Sequence, residues 1–117
     1  RRAIAARYHD ALSVLEGRGT WRWVGRTPGR HVFHQLCGLA SARDELRAYL
    51  KTLGIGTGVY YPEPLHTQPC FESLEQGLGH CPNAEKACKE LVALPCFAGL
   101  TDSEIDEVAN AIISFYL

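Results

Sequence analysis

Four stretches of this chain repeat apolar residues at the three-and-four spacing of a helix, and short apolar runs bounded by glycine or proline stand between them. Ile4, Tyr8, Leu12 and Leu15 mark a helix over Arg1 to Glu16, closed by Gly17. Leu46, Tyr49, Leu50 and Leu53 mark a second, with Ser41 as its cap, Asp44 three residues on and Gly54 at its end. Asn83 caps a short third helix whose Ala84, Ala87, Cys88 and Leu91 face inward. Thr101-Asp102-Ser103-Glu104 is a capping box ahead of the stripe Ile105, Val108, Ala109, Ile112 and Tyr116. The runs between, His31 to Leu39, Ile55 to Tyr61 and Val92 to Phe97, read as strands, and Pro95 makes the last an edge strand or the end of one. Arg18 to Arg30 has no clear period and reads as a loop or irregular hairpin. The order α-β-α-β-α-β-α predicts one small sheet of three strands with helices packed chiefly on one face.

With 117 residues the chain fits one domain, 1–117, with no internal repeat or linker. Its 12 Lys and Arg nearly balance 13 Asp and Glu. That balance supplies neither a broad basic field for nucleic acid nor a polybasic patch for anionic lipid, so neither partner is expected. Arg18, Arg22, Arg26 and Arg30, interleaved with Trp21 and Trp23, are explained as well by an exposed hairpin as by a nucleic-acid surface. No apolar run approaches the roughly 18 residues of a membrane span, and the N-terminus lacks the apolar core of a secretory signal. A cytoplasmic protein is the expectation. The 5 cysteines, Cys37, Cys70, Cys81, Cys88 and Cys96, are odd in number and fit reduced thiols better than a disulfide framework. Methionine is absent even at position 1, so a chain starting at Arg1 in mid-helix reads as processed or as a fragment.

Polar and aromatic groups concentrate between rigid prolines from Gly54 to Phe71. Pro62 and Pro64 force extended backbone and end any pairing of the preceding strand. Tyr60, Tyr61, His66 and Gln68 offer hydroxyl, imidazole and amide groups that orient a polar ligand, while Leu65 and Phe71 can anchor the segment in apolar surface. The alternative is a proline-rich turn whose aromatics fill a core.

Other chemistries find little support. Gly54, Gly56 and Gly58 follow a helix and enter a strand, the reverse of what a dinucleotide pyrophosphate requires. His66, Cys70, His80, Cys81 and Cys88 include no paired Cys-x-x-Cys, so no metal is expected. His34 with Cys37, and His80 beside Cys81, are close only in the linear chain, which does not make a nucleophile. His34 lies on a strand pattern where a histidine satisfied by the core is the commoner reading, and His9 and His31 read as surface residues. Lys51, Lys86 and Lys89 fall on polar helix faces, so none is placed as a buried Schiff-base amine. No catalytic residue is expected in the chain itself.

Taken in order, the residues resemble the C-terminal domain of DegT/StrS-type aminotransferases. Arg2-Ala3-Ile4-Ala5-Ala6-Arg7-Tyr8 with Leu12 is similar to the family's helix leading out of its large domain, and Phe33-His34 resembles its Tyr-His strand motif. Arg43-Asp44-Glu45-Leu46, Leu53-Gly54-Ile55 and Thr57, Tyr61-Pro62, Pro64-Leu65-His66 and Gln68-Pro69 follow the family's helix, strand and loop. Asn83-Ala84-Glu85, Leu94-Pro95 and Leu100-Thr101-Asp102-Ser103-Glu104-Ile105 complete the resemblance, with departures at Gln35, Cys37 and Cys70. These enzymes use pyridoxal phosphate to move an amino group from glutamate or glutamine to a keto sugar, usually a nucleotide-linked one. The resemblance implies an α+β fold, a small three-stranded, mainly antiparallel sheet with helices chiefly on one face like the small domain of fold-type-I aminotransferases, without the large domain that carries the Schiff-base lysine and most of the phosphate cup. It implies a homodimer whose loop around Tyr61 and His66 borders the active site, with Tyr60, Gln68 and His34 as further contacts to the sugar. By itself the chain is expected to hold no cofactor and to be inactive. A stand-alone binding or oligomerisation module that reuses the fold is the competing expectation.

Overall fold

The computed structural model describes residues 1–25 and 30–117, so Arg26 of the basic cluster lies outside the described residues. Along the chain come α1 (Arg2–Ala11), α2 (Ser13–Glu16), β1 (Trp21–Trp23), β2 (Leu36–Ala40), α3 (Arg43–Thr52), two 3-10 turns (Leu65–Thr67 and Pro69–Leu74), α4 (Pro82–Glu90), β3 (Leu91–Leu94) and α5 (Asp102–Tyr116). The three strands form one antiparallel sheet in the order β1-β2-β3, an α+β architecture.

The helical stripes generate the core. Tyr8, Leu12, Leu15, Leu46, Leu50, Ile105 and Ile112 are buried together with Leu36, Val92 and Leu94 of the sheet. A fork from Arg7 ties α1 to α5: Nε donates to Asp106 Oδ1 at 2.9 Å, Nη2 to Oδ2 at 2.6 Å, and Nη1 lies 3.2 Å from Asp102. The capping box of α5 is present, with Thr101 Oγ1 accepting from the Glu104 N–H and Glu104 accepting from the Thr101 N–H.

Several boundaries fall elsewhere than the sequence pattern suggests. The first helix breaks at Leu12, whose backbone turns to φ −88, ψ 2. A strand lies inside the stretch read as loop: Trp21 and Trp23 pair opposite Ala40 and Gly38. Three residues flanked by glycines are too few to show a period. The run from His31 becomes a strand only at Leu36, because Phe33 sits at φ 46 and the His31 ring accepts its N–H at 2.9 Å, turning the chain. Ser41 does not cap α3. Its N–H donates to Thr20 O at 3.0 Å and its carbonyl accepts from the Tyr116 hydroxyl, leaving left-handed Ala42 at the cap.

The Ile55 to Tyr61 strand is reduced to one bridge, Gly58 with Ala93, their N–H and C=O groups exchanging bonds of 3.0 and 2.8 Å. Glycine at 54, 56 and 58 leaves too few side chains to hold a longer pairing. Pro82, suited to the first helical position, starts α4 ahead of Asn83, which therefore is not its cap. Ala87 and Cys88 of α4 are half-buried, whereas Ala84 is exposed. Pro95 ends β3 at Leu94, as a proline at the sheet edge should.

The radius of gyration is 15.4 Å, where about 13 Å would describe a compact domain of this length. Every one of residues 69–84 is exposed.

Candidate functional site

The segment after Gly58 leaves the sheet edge and is shaped by its own short-range bonds. Pro64 and Gln68 hold extended backbone on either side of the first 3-10 turn. Within it the Thr67 hydroxyl donates to Pro64 O at 3.0 Å and the Gln68 N–H to Leu65 O at 3.1 Å, and the Phe71 N–H then donates to Gln68 O at 2.9 Å. Proline-fixed φ angles and these local bonds make the loop stiff without core packing.

The polar groups line two separate hollows. A groove of about 510 Å³ at the ends of β2 and β3 is bordered by His34, Gln35, Thr57, Tyr60 and Phe97. Thr57 is held by Arg47 of α3, whose Nε donates to its hydroxyl at 3.1 Å. The second hollow, about 560 Å³, is bordered by His66, Gln68, Glu72 and Glu75. Tyr61, 73 % exposed, stands outside both sets, and Tyr60 is 43 % exposed, so neither tyrosine fills a core. Leu65 and Phe71 remain exposed and do not anchor the loop on this domain. His34 is exposed rather than satisfied by the core, because β2 begins after it.

His66 is the best-held of these groups. Its Nε2 lies 2.8 Å from Glu85 Oε1, with the two side chains only 9 % and 14 % exposed. The same carboxylate oxygen accepts the Gly79 N–H at 2.8 Å and the Cys81 N–H at 3.3 Å. The bond from His66, aided by the two backbone N–H groups and opposed by desolvation, lowers the Glu85 carboxyl below its ordinary value. Sequence reading passed over Glu85 as a site residue. Its signal was an acidic side chain in the first turn of a helix that follows a glycine-bearing loop.

The remaining candidates come apart. His9, expected at the surface, is half-buried with its ring 4.4 Å from Trp23. Burial pushes the Cys37 and Cys96 thiols up, away from a nucleophilic thiolate. Among the described residues no three His, Cys, Asp or Glu side chains converge as metal ligands. Lys51, Lys86 and Lys89 are all exposed. No helix among the described residues is long and apolar enough to cross a membrane.

A model of the DegT/DnrJ/EryC1/StrS aminotransferase family matches residues 1–113. Over 86 residues the chain is 51% identical to the pleiotropic regulatory protein of Geobacillus stearothermophilus, a match covering 74% of this chain and 23% of that protein. Over 82 residues it is 38% identical to the UDP-N-acetyl-3-dehydro-alpha-D-glucosamine 3-aminotransferase of Acidithiobacillus ferrooxidans, covering 70% of this chain and 22% of that one. The crystal structure of S. venezuelae DesV in complex with a ketimine intermediate superposes with a TM-score of 0.90 at 28% identity, over 98% of this chain and 30% of that chain. The chain thus spans less than a third of the length of these relatives.

Proposed function

We propose a role for a chain that belongs to the DegT/DnrJ/EryC1/StrS aminotransferase family: residues 1–117 are the small, C-terminal domain of a cytoplasmic, homodimeric enzyme that transfers an amino group to a nucleotide-linked keto sugar using pyridoxal phosphate. The domain lines the sugar side of the active site and leaves the cofactor to the large domain. The observation that carries this division is the exposure of all three lysines. A Schiff-base amine needs a desolvated setting, and all three stand in solvent. The residues present do not fit the cofactor, and no chemical step is assigned to them. Tyr60, Tyr61, His66, Gln68 and His34 supply hydroxyl, imidazole and amide groups suited to sugar hydroxyls. A relative 38% identical over its matched part carries a UDP-sugar aminotransferase name, which supports that substrate class.

The test has two arms. The polypeptide of family length that ends in this domain should transfer nitrogen from glutamate to a nucleotide-linked keto sugar, read by mass spectrometry of the product; no aminated sugar from any such acceptor overturns the activity. The 117-residue chain alone, titrated with pyridoxal phosphate and reduced with borohydride, should give no stoichiometric adduct. A single adduct at Lys51, Lys86 or Lys89 overturns the division of labour.

A second reading, a binding or oligomerisation module made from the same domain, is favoured by two observations. The relative that is 51% identical over its matched part is named a regulatory protein. Leu65, Leu74 and Leu78 also stand 75, 60 and 81 % exposed on one projecting segment. A monodisperse oligomer of the isolated chain in light scattering supports this module, and a monomer opposes it.

A further inference from the structure

Glu85 belongs to α4, yet its side chain faces the loop rather than the helix's own surface. Three donors converge on its Oε1: His66 Nε2 at 2.8 Å, the Gly79 N–H at 2.8 Å and the Cys81 N–H at 3.3 Å. A backbone N–H can only donate, so the oxygen that takes two of them is an acceptor and carries no proton. The third partner must therefore donate as well, which places a hydrogen on Nε2 of His66. A neutral imidazole has one N–H, so its Nδ1 is then a lone-pair acceptor. Among the described residues no protein group bonds Nδ1, and His66 lines one hollow together with Gln68.

We propose that Glu85 is the positioning residue of His66, holding the neutral ring as the Nε2–H tautomer so that Nδ1 accepts a hydrogen bond from a hydroxyl of the ligand bound in the hollow beside Gln68. The arrangement parallels the way a carboxylate fixes the tautomer of a metal-bound histidine, with a hydroxyl in the place of the metal. It also explains why one oxygen serves three donors: tying Gly79 and Cys81 to the same atom fixes the carboxylate, and the fixed carboxylate then fixes the ring. Without Glu85 the imidazole is free to rotate and to exchange tautomers, presenting a donor where a sugar hydroxyl needs an acceptor. The hydroxyl half of this inference rests on the reading of the loop as substrate-facing; the tautomer half does not.

The experiment is two-bond 1H–15N correlation on 15N-histidine-labelled protein, with His66→Gln to assign the ring. The expected neutral form is Nε2–H with an unprotonated Nδ1. Glu85→Gln, whose amide oxygen can still accept from Gly79 and Cys81, should keep that tautomer. Glu85→Leu, of similar volume with no acceptor, should lose the fixed tautomer and show Nδ1 and Nε2 shifts averaged between the two neutral forms. An Nδ1–H ring in the unmodified protein, or an unchanged Nε2–H ring in Glu85→Leu, overturns the positioning role. Should Glu85→Leu fail to fold, the unmodified protein and Glu85→Gln still decide the tautomer.

In the full polypeptide, Glu85→Leu should raise KM for the keto sugar about tenfold, the worth of one hydrogen bond to a fixed acceptor, with kcat changed less and Glu85→Gln near the unmodified value. A KM unchanged in Glu85→Leu overturns the hydroxyl contact. If the polypeptide aminates no sugar at all, the proposed activity fails, while the tautomer spectra still judge Glu85.

Discussion

Two glycines each have an aromatic ring where a side chain would stand, and the same substitution is expected to act oppositely at them. A Cβ on Gly38 would fall 2.6 Å from Cε2 and 2.7 Å from Cη2 of Trp21, which is 1 % exposed and has no room to move. Overpacking a core costs about 1–3 kcal/mol. Alanine regains roughly 0.5–1 kcal/mol of the backbone entropy that glycine loses in a strand. The net cost, centred near about 1 kcal/mol and at most about 2.5, should lower Tm by roughly 4 °C and at most about 10 °C in a domain of this length. A Cβ on Gly58 would meet Tyr60 Cε2 at 2.6 Å, but Tyr60 is 43 % exposed and can swing into solvent. Gly58→Ala should therefore leave Tm unchanged or slightly raised, while moving Tyr60 off the wall of its groove. Thermal unfolding followed by tryptophan emission and near-ultraviolet circular dichroism reads both. The decisive control is Trp21→Phe, which lacks the outer ring atoms that the new methyl group meets. Gly38→Ala should cost less in that background than in the unmodified chain. An equal cost in the two backgrounds, or no loss of Tm in the first place, would refute the packing argument.

Two further outcomes follow from polar contacts. Because the Glu85 carboxyl is lowered in the folded state, its contribution to stability is present above the ordinary carboxylate value and is lost as pH falls through the lowered one. Amide exchange at Gly79 and Cys81, corrected for intrinsic rates, should accelerate over that acid window and not in Glu85→Gln; a pH-independent difference between the two proteins would contradict it. The Arg43 side chain, 9 % exposed, donates through Nη1 to the Leu91 carbonyl at 2.8 Å and the Cys88 carbonyl at 3.2 Å. Arg43→Met should cost about 1–3 kcal/mol in urea unfolding with the slope unchanged, and a midpoint within error of the unmodified protein would show that the cap contributes nothing.

What the sequence made legible follows from how many residues each signal used. The final helix was readable because the capping box Thr101 to Glu104 and a stripe of five apolar residues agree over fifteen positions. The sheet was less so. Trp21–Trp23 is short and lies between glycines, and its evidence is the pairing of Trp23 with Gly38, a contact between residues far apart in sequence. Ile55 to Tyr61 had the right residue types for a strand, but Gly58 alone pairs, since a register also needs side chains to hold it. At the candidate site the sequence showed which groups were polar and where prolines stiffened the chain. It could not show that His66 and Gln68 share one hollow while His34 and Tyr60 border another, nor that a residue nineteen positions on holds His66.

The position of that loop is set by polar ties more than by apolar burial. None of the residues of α4 is fully buried, so the helix lacks the apolar face that fixes α5. Instead its two ends are tied. At the C-terminal end Arg43 binds the carbonyls of Cys88 and Leu91, where a cation also meets the negative end of the helix dipole. In its first turn Glu85 gathers Gly79, Cys81 and His66. Arg43 opens α3, whose Leu46 and Leu50 are in the core, so it refers α4 to the packed part of the molecule, and Glu85 refers the loop to α4. Hydrogen bonds of this kind have a narrow geometric optimum, whereas apolar contact is nondirectional. A loop held through α4 in this way can present His66 at a defined angle although every residue from Pro69 to Ala84 is exposed to solvent.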